Sequence, residues 1–260
     1  MRILVVVLAS ALTLGCAGLR GSGPDIDIAR AQVELAAQLA ARRDWGAAVS
    51  ALEHLPRDRT LRASALIIRG TALRERGMYE EAESDFREAL QLAPKEAAAH
   101  SGLALTADLR RSWALALEHH ERAAKLAPEN AGYLNNWAFA LFAAGRARAA
   151  IPVYERALRV TPTDRRLHNN LAFALAQVGD YRRAARHFES GGSFAEARNN
   201  LGFAYERAGN LVQAFDAYRE ACRADPALTK ARENLVHVAQ LLQRELPVEA
   251  RDHEKSEEVR

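Results

Sequence analysis

Small apolar residues recur along this chain at the spacing expected of helices that pack in pairs. Within a unit of 34 residues, the eighth position lies on a first helix, called helix A, and the twentieth on a second, called helix B. Both positions hold only glycine or alanine, and such small side chains let paired helices approach closely. They are Ala36, Gly70, Ala104, Ala138, Ala172 and Gly202 at position 8, and Ala48, Ala82, Ala116, Ala150, Ala184 and Ala214 at position 20.

Proline and glycine divide the chain into these units. Pro94, Pro128 and Pro162 lie 34 residues apart, and each closes a helical stretch. In four units a glycine at position 15 separates helix A from helix B, as suits a helix that ends in the left-handed conformation. The units begin at Ala29, Ala63, Ala97, Ala131, Arg165 and Ala195, and one further A-type helix covers residues 229 to 245.

A repeat of this length and composition resembles the tetratricopeptide repeat (TPR) family from residue 29 to residue 245. The resemblance implies an all-α fold, a right-handed TPR superhelix of about six helix-turn-helix repeats with a C-terminal capping helix. Each repeat then packs on its neighbours, so that the array shares one continuous core.

The fifth repeat is shorter than the others. It runs for 30 residues, from Arg165 to Phe194, and the missing four come from the end of helix B. Ser193 and Glu196 have the spacing of a capping box, which predicts that the next helix starts there. Because about one helical turn is missing, we expect a change of superhelix curvature between repeats five and six.

The residues before the solenoid have the composition of an export signal. Residues 1 to 15 contain one basic side chain and a short apolar run, which is too short to span a bilayer and predicts a signal peptide. Thr13-Leu14-Gly15-Cys16 resembles a bacterial lipobox, although that family prefers Leu in place of Thr13 and a small residue in place of Leu14. The alternative is an ordinary signal peptide in which Cys16 is incidental.

The lipobox resemblance implies a covalent lipid on Cys16 and a lipidated flexible tether over residues 16 to 28. Ala17 stands where an inner-membrane lipoprotein usually has Asp, so the resemblance implies the periplasmic face of a bacterial outer membrane. At the other end of the chain, residues 246 to 260 are mostly charged, and we expect a disordered tail.

Charge and motifs exclude several classes of function. The net charge of +3 is small, and no basic helix suggests binding to DNA or RNA. Phosphate-binding loops, nucleophile elbows and paired catalytic carboxylates are missing from the sequence, and the neighbouring His119 and His120 do not complete a zinc-protease motif. We therefore expect no enzymatic activity, no metal site, and no cofactor other than the lipid.

The residues most informative about binding lie at positions 5, 6 and 9 of helix A, which hold asparagine and phenylalanine. In the TPR family these positions face the concave groove, and an amide there can hydrogen-bond the backbone of an extended polypeptide while a phenylalanine buries its side chains. The candidate groove residues are Asn135, Asn136, Phe139, Asn169, Asn170, Phe173, Asn199, Asn200, Phe203 and Asn234. The alternative is structural, because asparagine is common at position 6 and Phe at position 9 can pack against the next helix A.

A TPR solenoid with a lipobox resembles the TPR lipoprotein of tight-adherence (Flp/Tad) pilus assembly, and less closely the type IV pilotins. The run Ala197-Arg-Asn-Asn-Leu-Gly-Phe-Ala204 after a shortened repeat carries this resemblance. It implies a membrane-anchored scaffold whose partner is a secretin or pilus component. The alternative is an adaptor for cell-wall or envelope-maintenance enzymes.

Overall fold

The computed structural model describes residues 24 to 245, and this part of the chain is built from α-helices. In chain order they are α1 (Pro24–Ala41), α2 (Trp45–Ala51), α3 (Arg59–Glu75), α4 (Tyr79–Leu92), α5 (Ala97–Leu109), α6 (Trp113–Leu126), α7 (Ala131–Ala143), α8 (Ala147–Val160), α9 (Arg165–Gln177), α10 (Tyr181–Gly191), α11 (Phe194–Arg207), α12 (Leu211–Ala224) and α13 (Thr229–Leu241). Odd-numbered helices are the predicted A helices and even-numbered ones the B helices. The predicted all-α fold of six helix pairs and a final unpaired helix is confirmed.

The helices fall into two compact units. Unit 1 ends at Tyr133 and unit 2 begins at Leu134, inside α7. In unit 1, α3 contacts α1, α4 and α5, and in unit 2, α11 contacts α9, α12 and α13. Both A helices therefore pack on their own B helix and on neighbouring A helices of the same unit, as stacked repeats require.

The core of each unit depends on a bulky side chain at position 24 facing a glycine. In unit 1 the ring of Phe86 is fully buried, and a Cβ added to Gly102 would lie 2.3 Å from it. In unit 2 a Cβ added to Gly202 would lie 2.7 Å from the buried ring of Tyr218. Because both distances are shorter than a van der Waals contact, glycine is required at these two positions.

Two buried tyrosines of unit 2 differ in how their hydroxyls are satisfied. The Tyr218 hydroxyl donates to Glu206 Oε2 at 2.6 Å, and burial together with this carboxylate raises the tyrosine pKa. The Tyr154 hydroxyl is buried and has no hydrogen-bond partner among the described residues. Glu206 stands at position 12 of its repeat, and the corresponding residue of the Tyr154 repeat is Phe142, which cannot accept a hydrogen bond.

Helix A of every repeat is followed by a residue in the left-handed conformation at position 15. This residue is glycine in some repeats and carries a side chain in others. Gly77, Gly145, Gly179 and Gly209 have φ values of 82°, 74°, 87° and 76°. Arg43 and Arg111 take the same place in the first and third repeats with φ values of 64° and 60°, and Gln243 follows in the cap with 53°. A side chain is disfavoured in this region, so at Arg43, Arg111 and Gln243 the residue type does not account for the left-handed conformation.

The shortened fifth repeat has the predicted structure. Its B helix, α10, has 11 residues, whereas α12 of the next repeat has 14. The predicted capping box is confirmed, because Ser193 N donates to Glu196 Oε2 at 2.7 Å and Glu196 N donates to Ser193 Oγ at 3.2 Å. The hydrogen bond from the Ser193 backbone lowers the pKa of Glu196. The change of curvature stays a prediction.

The structure corrects two predicted boundaries. Helix α1 begins at Pro24, so residues 24 to 28, which were predicted to be flexible tether, are helical. Proline is well suited to a first helical turn, and Asp25 and Asp27 favour a helix start, which explains the earlier beginning. The capping helix ends at Leu241, four residues before the predicted end.

The predicted signal peptide (residues 1 to 15), Cys16 and the predicted charged tail (residues 246 to 260) lie outside the described residues. Among the helices that are described, none combines the length and the apolar character that crossing a bilayer requires.

Candidate functional site

The candidate groove residues lie on one set of neighbouring helices in unit 2. Positions 5, 6 and 9 recur on α7, α9 and α11, and α13 adds Asn234. Because α9, α11 and α13 contact one another in succession and a side-chain hydrogen bond joins α7 to α9, these positions form a continuous surface. We call it the aromatic-amide face.

Two of the three phenylalanine side chains at position 9 are the most exposed part of this face. Phe139 and Phe203 have 47% and 41% of their surface accessible, and Phe173 is half-buried. The rings of Phe173 and Phe203 meet edge to face with their centroids 6.1 Å apart, and Phe173 also rests on the buried Phe188 ring at 4.8 Å. The guanidinium of Arg207 lies 6.0 Å from the Phe203 centroid. The result is an apolar ridge with a fixed ring orientation.

The asparagines mainly hydrogen-bond one another. Asn170 Nδ2 donates to Asn135 Oδ1 at 2.9 Å, and Asn234 Nδ2 donates to Asn199 Oδ1 at the same distance. In both cases an amide at position 6 donates to an amide at position 5 of the preceding repeat. These contacts tie neighbouring A helices together, which is a structural role that the sequence analysis had kept as an alternative.

Longer contacts link the two amides within a repeat. Asn135 Nδ2 lies 3.4 Å from Asn136 Oδ1, and Asn199 Nδ2 lies 3.5 Å from Asn200 Oδ1. Asn136 and Asn200 are half-buried, whereas Asn199 is only 7% exposed. Asn199 is therefore an internal bridge in this structure, and its role as a groove contact stays a prediction.

Asn169 also departs from the predicted row. Its Nδ2 donates to the carbonyl oxygen of Gly191 at 3.1 Å, and Arg165 Nε donates to the same oxygen at 3.1 Å. Early termination of α10 leaves this carbonyl without a helical partner, so the two side chains replace the missing turn. The Oδ1 atom of Asn169 is buried and unpartnered among the described residues, and the role of Asn169 as a groove contact stays a prediction.

No group of three or more His, Cys, Asp and Glu side chains that could hold a metal forms within residues 24 to 245. The sequence analysis missed two histidine pairs that the structure reveals. His100 with His119, and His168 with His187, each meet across one A–B helix pair. The signal was a 19-residue spacing at repeat positions 4 and 23 that occurs twice in the sequence.

Comparisons with known proteins agree with this architecture. Family models described as tetratricopeptide repeats match residues 63–96, 141–196 and 174–228. The matched segments are tetratricopeptide repeats, and the fold is an all-α TPR solenoid. No curated protein matches the sequence.

Solved structures with the same fold include two TPR proteins. YrrB, described as a TPR protein with an unusual peptide-binding site, is 21% identical with a TM-score of 0.56, and the match covers 65% of this chain and 89% of YrrB. MamA from Desulfovibrio magneticus RS-1 is 22% identical with a TM-score of 0.56, and the match covers 66% of this chain and 95% of that one. At these identities the likeness establishes the fold.

Proposed function

We propose that this protein is a non-enzymatic scaffold that binds an extended polypeptide on the aromatic-amide face of unit 2. The observation that carries the proposal is the exposure of the position-9 rings of Phe139 and Phe203, at 47% and 41%, on the A helices α7 and α11. Contiguous exposed aromatic surface is typical of protein-binding sites, because its burial supplies the binding free energy.

The spacing of the rings suits an extended chain. Side chains on one side of an extended strand repeat about every 6.6 Å, which is twice the rise per residue. The Phe173 and Phe203 centroids are 6.1 Å apart, so alternate residues of a bound polypeptide can contact the two rings. The half-buried amides of Asn136 and Asn200 flank the ridge and are polar groups of the kind that hydrogen-bond a peptide backbone.

A peptide partner is also supported by analogy with YrrB, whose description includes a peptide-binding site. The exposed rings favour a segment with alternating apolar side chains, and Arg207 beside Phe203 adds a positive charge at one end of the ridge.

We further infer that the chain is attached through a lipid on Cys16 to the periplasmic face of a bacterial outer membrane, and that its partner is a secretin or pilus component. The lipobox-like Thr13 to Cys16 segment and the resemblance to Flp pilus lipoproteins support this placement. Radiolabelled palmitate should be incorporated into the chain and not into a Cys16→Ser variant. Labelling of both, or of neither, would refute the anchor.

The binding function is tested with peptides selected from a random display library on the full chain. Replacing Phe139 and Phe203 together by Ser should weaken peptide binding about 10- to 100-fold, because their exposed fractions of 47% and 41% add up to about one phenylalanine, whose burial contributes about 1.5–3 kcal/mol. Phe194→Ser is the matched control, because Phe194 is 52% exposed on α11 but lies outside the face. Equal affinities of the double variant and the control, measured by fluorescence polarisation, would contradict the proposal.

A further inference from the structure

Two histidine pairs with the same geometry occur in the two units. In unit 1, His100 Nδ1 lies 2.8 Å from His119 Nδ1, and in unit 2, His168 Nδ1 lies 3.0 Å from His187 Nδ1. The first histidine of each pair is on an A helix and the second on the partner B helix. The recurrence of one arrangement at equivalent repeat positions makes a chance contact of two surface side chains a poor explanation.

The A-helix histidine of each pair is held by a backbone carbonyl. His100 Nε2 lies 3.1 Å from the oxygen of Pro94, and His168 Nε2 lies 2.9 Å from the oxygen of Pro162. A carbonyl can only accept, so Nε2 carries the proton and Nδ1 presents a lone pair to the second ring. In metal sites, a histidine that binds the metal through one ring nitrogen usually donates its other ring N–H to a carbonyl or carboxylate, which orients the ring.

Charges of both signs surround the pairs. The groups acting on the unit 1 pair are Glu96, Glu118, Arg87, Arg122 and His120, and those acting on His187 are Glu155, Arg183 and Arg186. The carboxylates favour a bound cation and the guanidinium groups oppose it, so the imidazole nitrogens themselves decide binding.

We propose that each histidine pair binds one divalent transition-metal ion through its two Nδ1 atoms, with water completing the coordination. Metal–nitrogen distances of about 2.0–2.1 Å and a tetrahedral angle place two ligand nitrogens about 3.3 Å apart. The two pairs therefore need to open by only a few tenths of an ångström. His119 and His187 are half-buried, which leaves each site a route from solvent.

A bound metal ion would replace the hydrogen bond between the two Nδ1 atoms of a histidine pair, and the proton of that bond must be accounted for. The B-helix histidine gives up its Nδ1 proton and takes one from water at Nε2, so a neutral pair binds the ion without net proton release. A pair that carries an extra proton must release it, and affinity therefore falls at acidic pH. Two imidazole nitrogens as the protein ligands predict tighter binding of Cu²⁺ than of Zn²⁺.

The test is equilibrium dialysis of Zn²⁺ against the untagged full chain at pH 7.5. Relative to the parent chain, His119→Gln and His187→Gln should each remove one bound ion, and the double variant should remove two. His54→Gln is the matched control, because His54 is exposed and belongs to neither pair, and it should change nothing. Equal Zn²⁺ binding by the parent chain and the double variant would overturn the proposal.

A second measurement needs no variant. Zn²⁺ should shift the Nδ1 resonances of His100, His119, His168 and His187 in a long-range ¹H–¹⁵N spectrum of the parent chain, and Cu²⁺ should show coupling to two nitrogens in its electron paramagnetic resonance spectrum. Unshifted Nδ1 resonances at saturating Zn²⁺ would overturn the proposal whatever the variants do. Peptide binding on the aromatic-amide face is read out separately and does not depend on this result.

Discussion

The two units use the same helix pairs but bury different polar groups. Within residues 24 to 245, every buried charged side chain belongs to unit 1, namely Arg74, Glu83 and Asp85, whereas the buried polar side chain of unit 2 is the neutral Asn199. Position 9 of helix A differs as well, with Ala37, Thr71 and Leu105 in unit 1 and Phe139, Phe173 and Phe203 in unit 2. Unit 1 therefore buries charged side chains, while unit 2 combines amide bridges with an exposed aromatic ridge.

The difference indicates how a repeat array can separate stability from binding. In unit 1, Arg69 donates two hydrogen bonds to Asp85, from Nε to Oδ2 and from Nη2 to Oδ1, both at 2.7 Å. Glu83 forms ion pairs with Arg87 and Arg110. These groups face one another and offer little to a partner. Unit 2 has cross-helix ion pairs as well, such as Arg183 with Glu155 and Arg198 with Glu220, but they are more exposed, and its A helices are joined by neutral amide bridges.

The largest predicted effect comes from breaking the buried ion pair of unit 1. Asp85→Ala should destabilise unit 1 by about 3–5 kcal/mol, because it leaves Arg69 without its carboxylate in a half-buried site. Asp216→Ala, which removes a half-exposed partner of Arg219, should cost less than about 1 kcal/mol. Urea unfolding followed by circular dichroism measures both, and equal costs would contradict the contrast between the units.

The two tyrosines of unit 2 give the next effect. Tyr218→Phe should destabilise by about 2 kcal/mol, because a hydrogen bond to the charged Glu206 is lost. Tyr154→Phe should leave stability unchanged or raise it by about 1 kcal/mol, because it removes a buried hydroxyl without a partner. A matched loss in both variants, seen in thermal unfolding, would show that Tyr154 has a partner in solution.

The smallest effect concerns the amide bridges. Asn199→Ala should destabilise unit 2 by about 1 kcal/mol through loss of its bond from Asn234, and the change should be the same in 0.1 M and 1 M NaCl because the bond is neutral. Glu88→Ala in unit 1 is the comparison, because its pair with Arg62 is partly exposed and is screened by salt. A strong salt dependence for Asn199→Ala would contradict the assignment of neutral bridges.

Most of the fold could be predicted because helix pairing makes local demands on residue size. Position 202 must be small to make room for Tyr218, and Gly209 follows helix A in the left-handed conformation. Both requirements therefore appear in the sequence as small residues that recur once per repeat. Arg43 and Arg111 adopt the same left-handed conformation without such a small residue. Their conformation comes from tertiary packing, which no local pattern records.

The candidate site was predictable in part. Exposure of Phe139 and Phe203 follows from helical periodicity, since position 9 lies on the same side of helix A as positions 5 and 6. The orientation of Asn169 does not follow, because it depends on a carbonyl that the shortened α10 leaves open at Gly191. The histidine pairs were hidden for a similar reason, since one member of each comes from a different helix.

Site-specific photo-crosslinking in cells tests the central claim most directly. A photoreactive amino acid placed at residue 139 or 203 should capture the same polypeptide, and the crosslinked peptides should come from one segment with alternating apolar residues. The same probe at residue 113, where Trp113 is 62% exposed in unit 1, or at residue 194 should not capture that segment. Capture of one segment from all four positions, or from residue 113 alone, would contradict a binding face on unit 2.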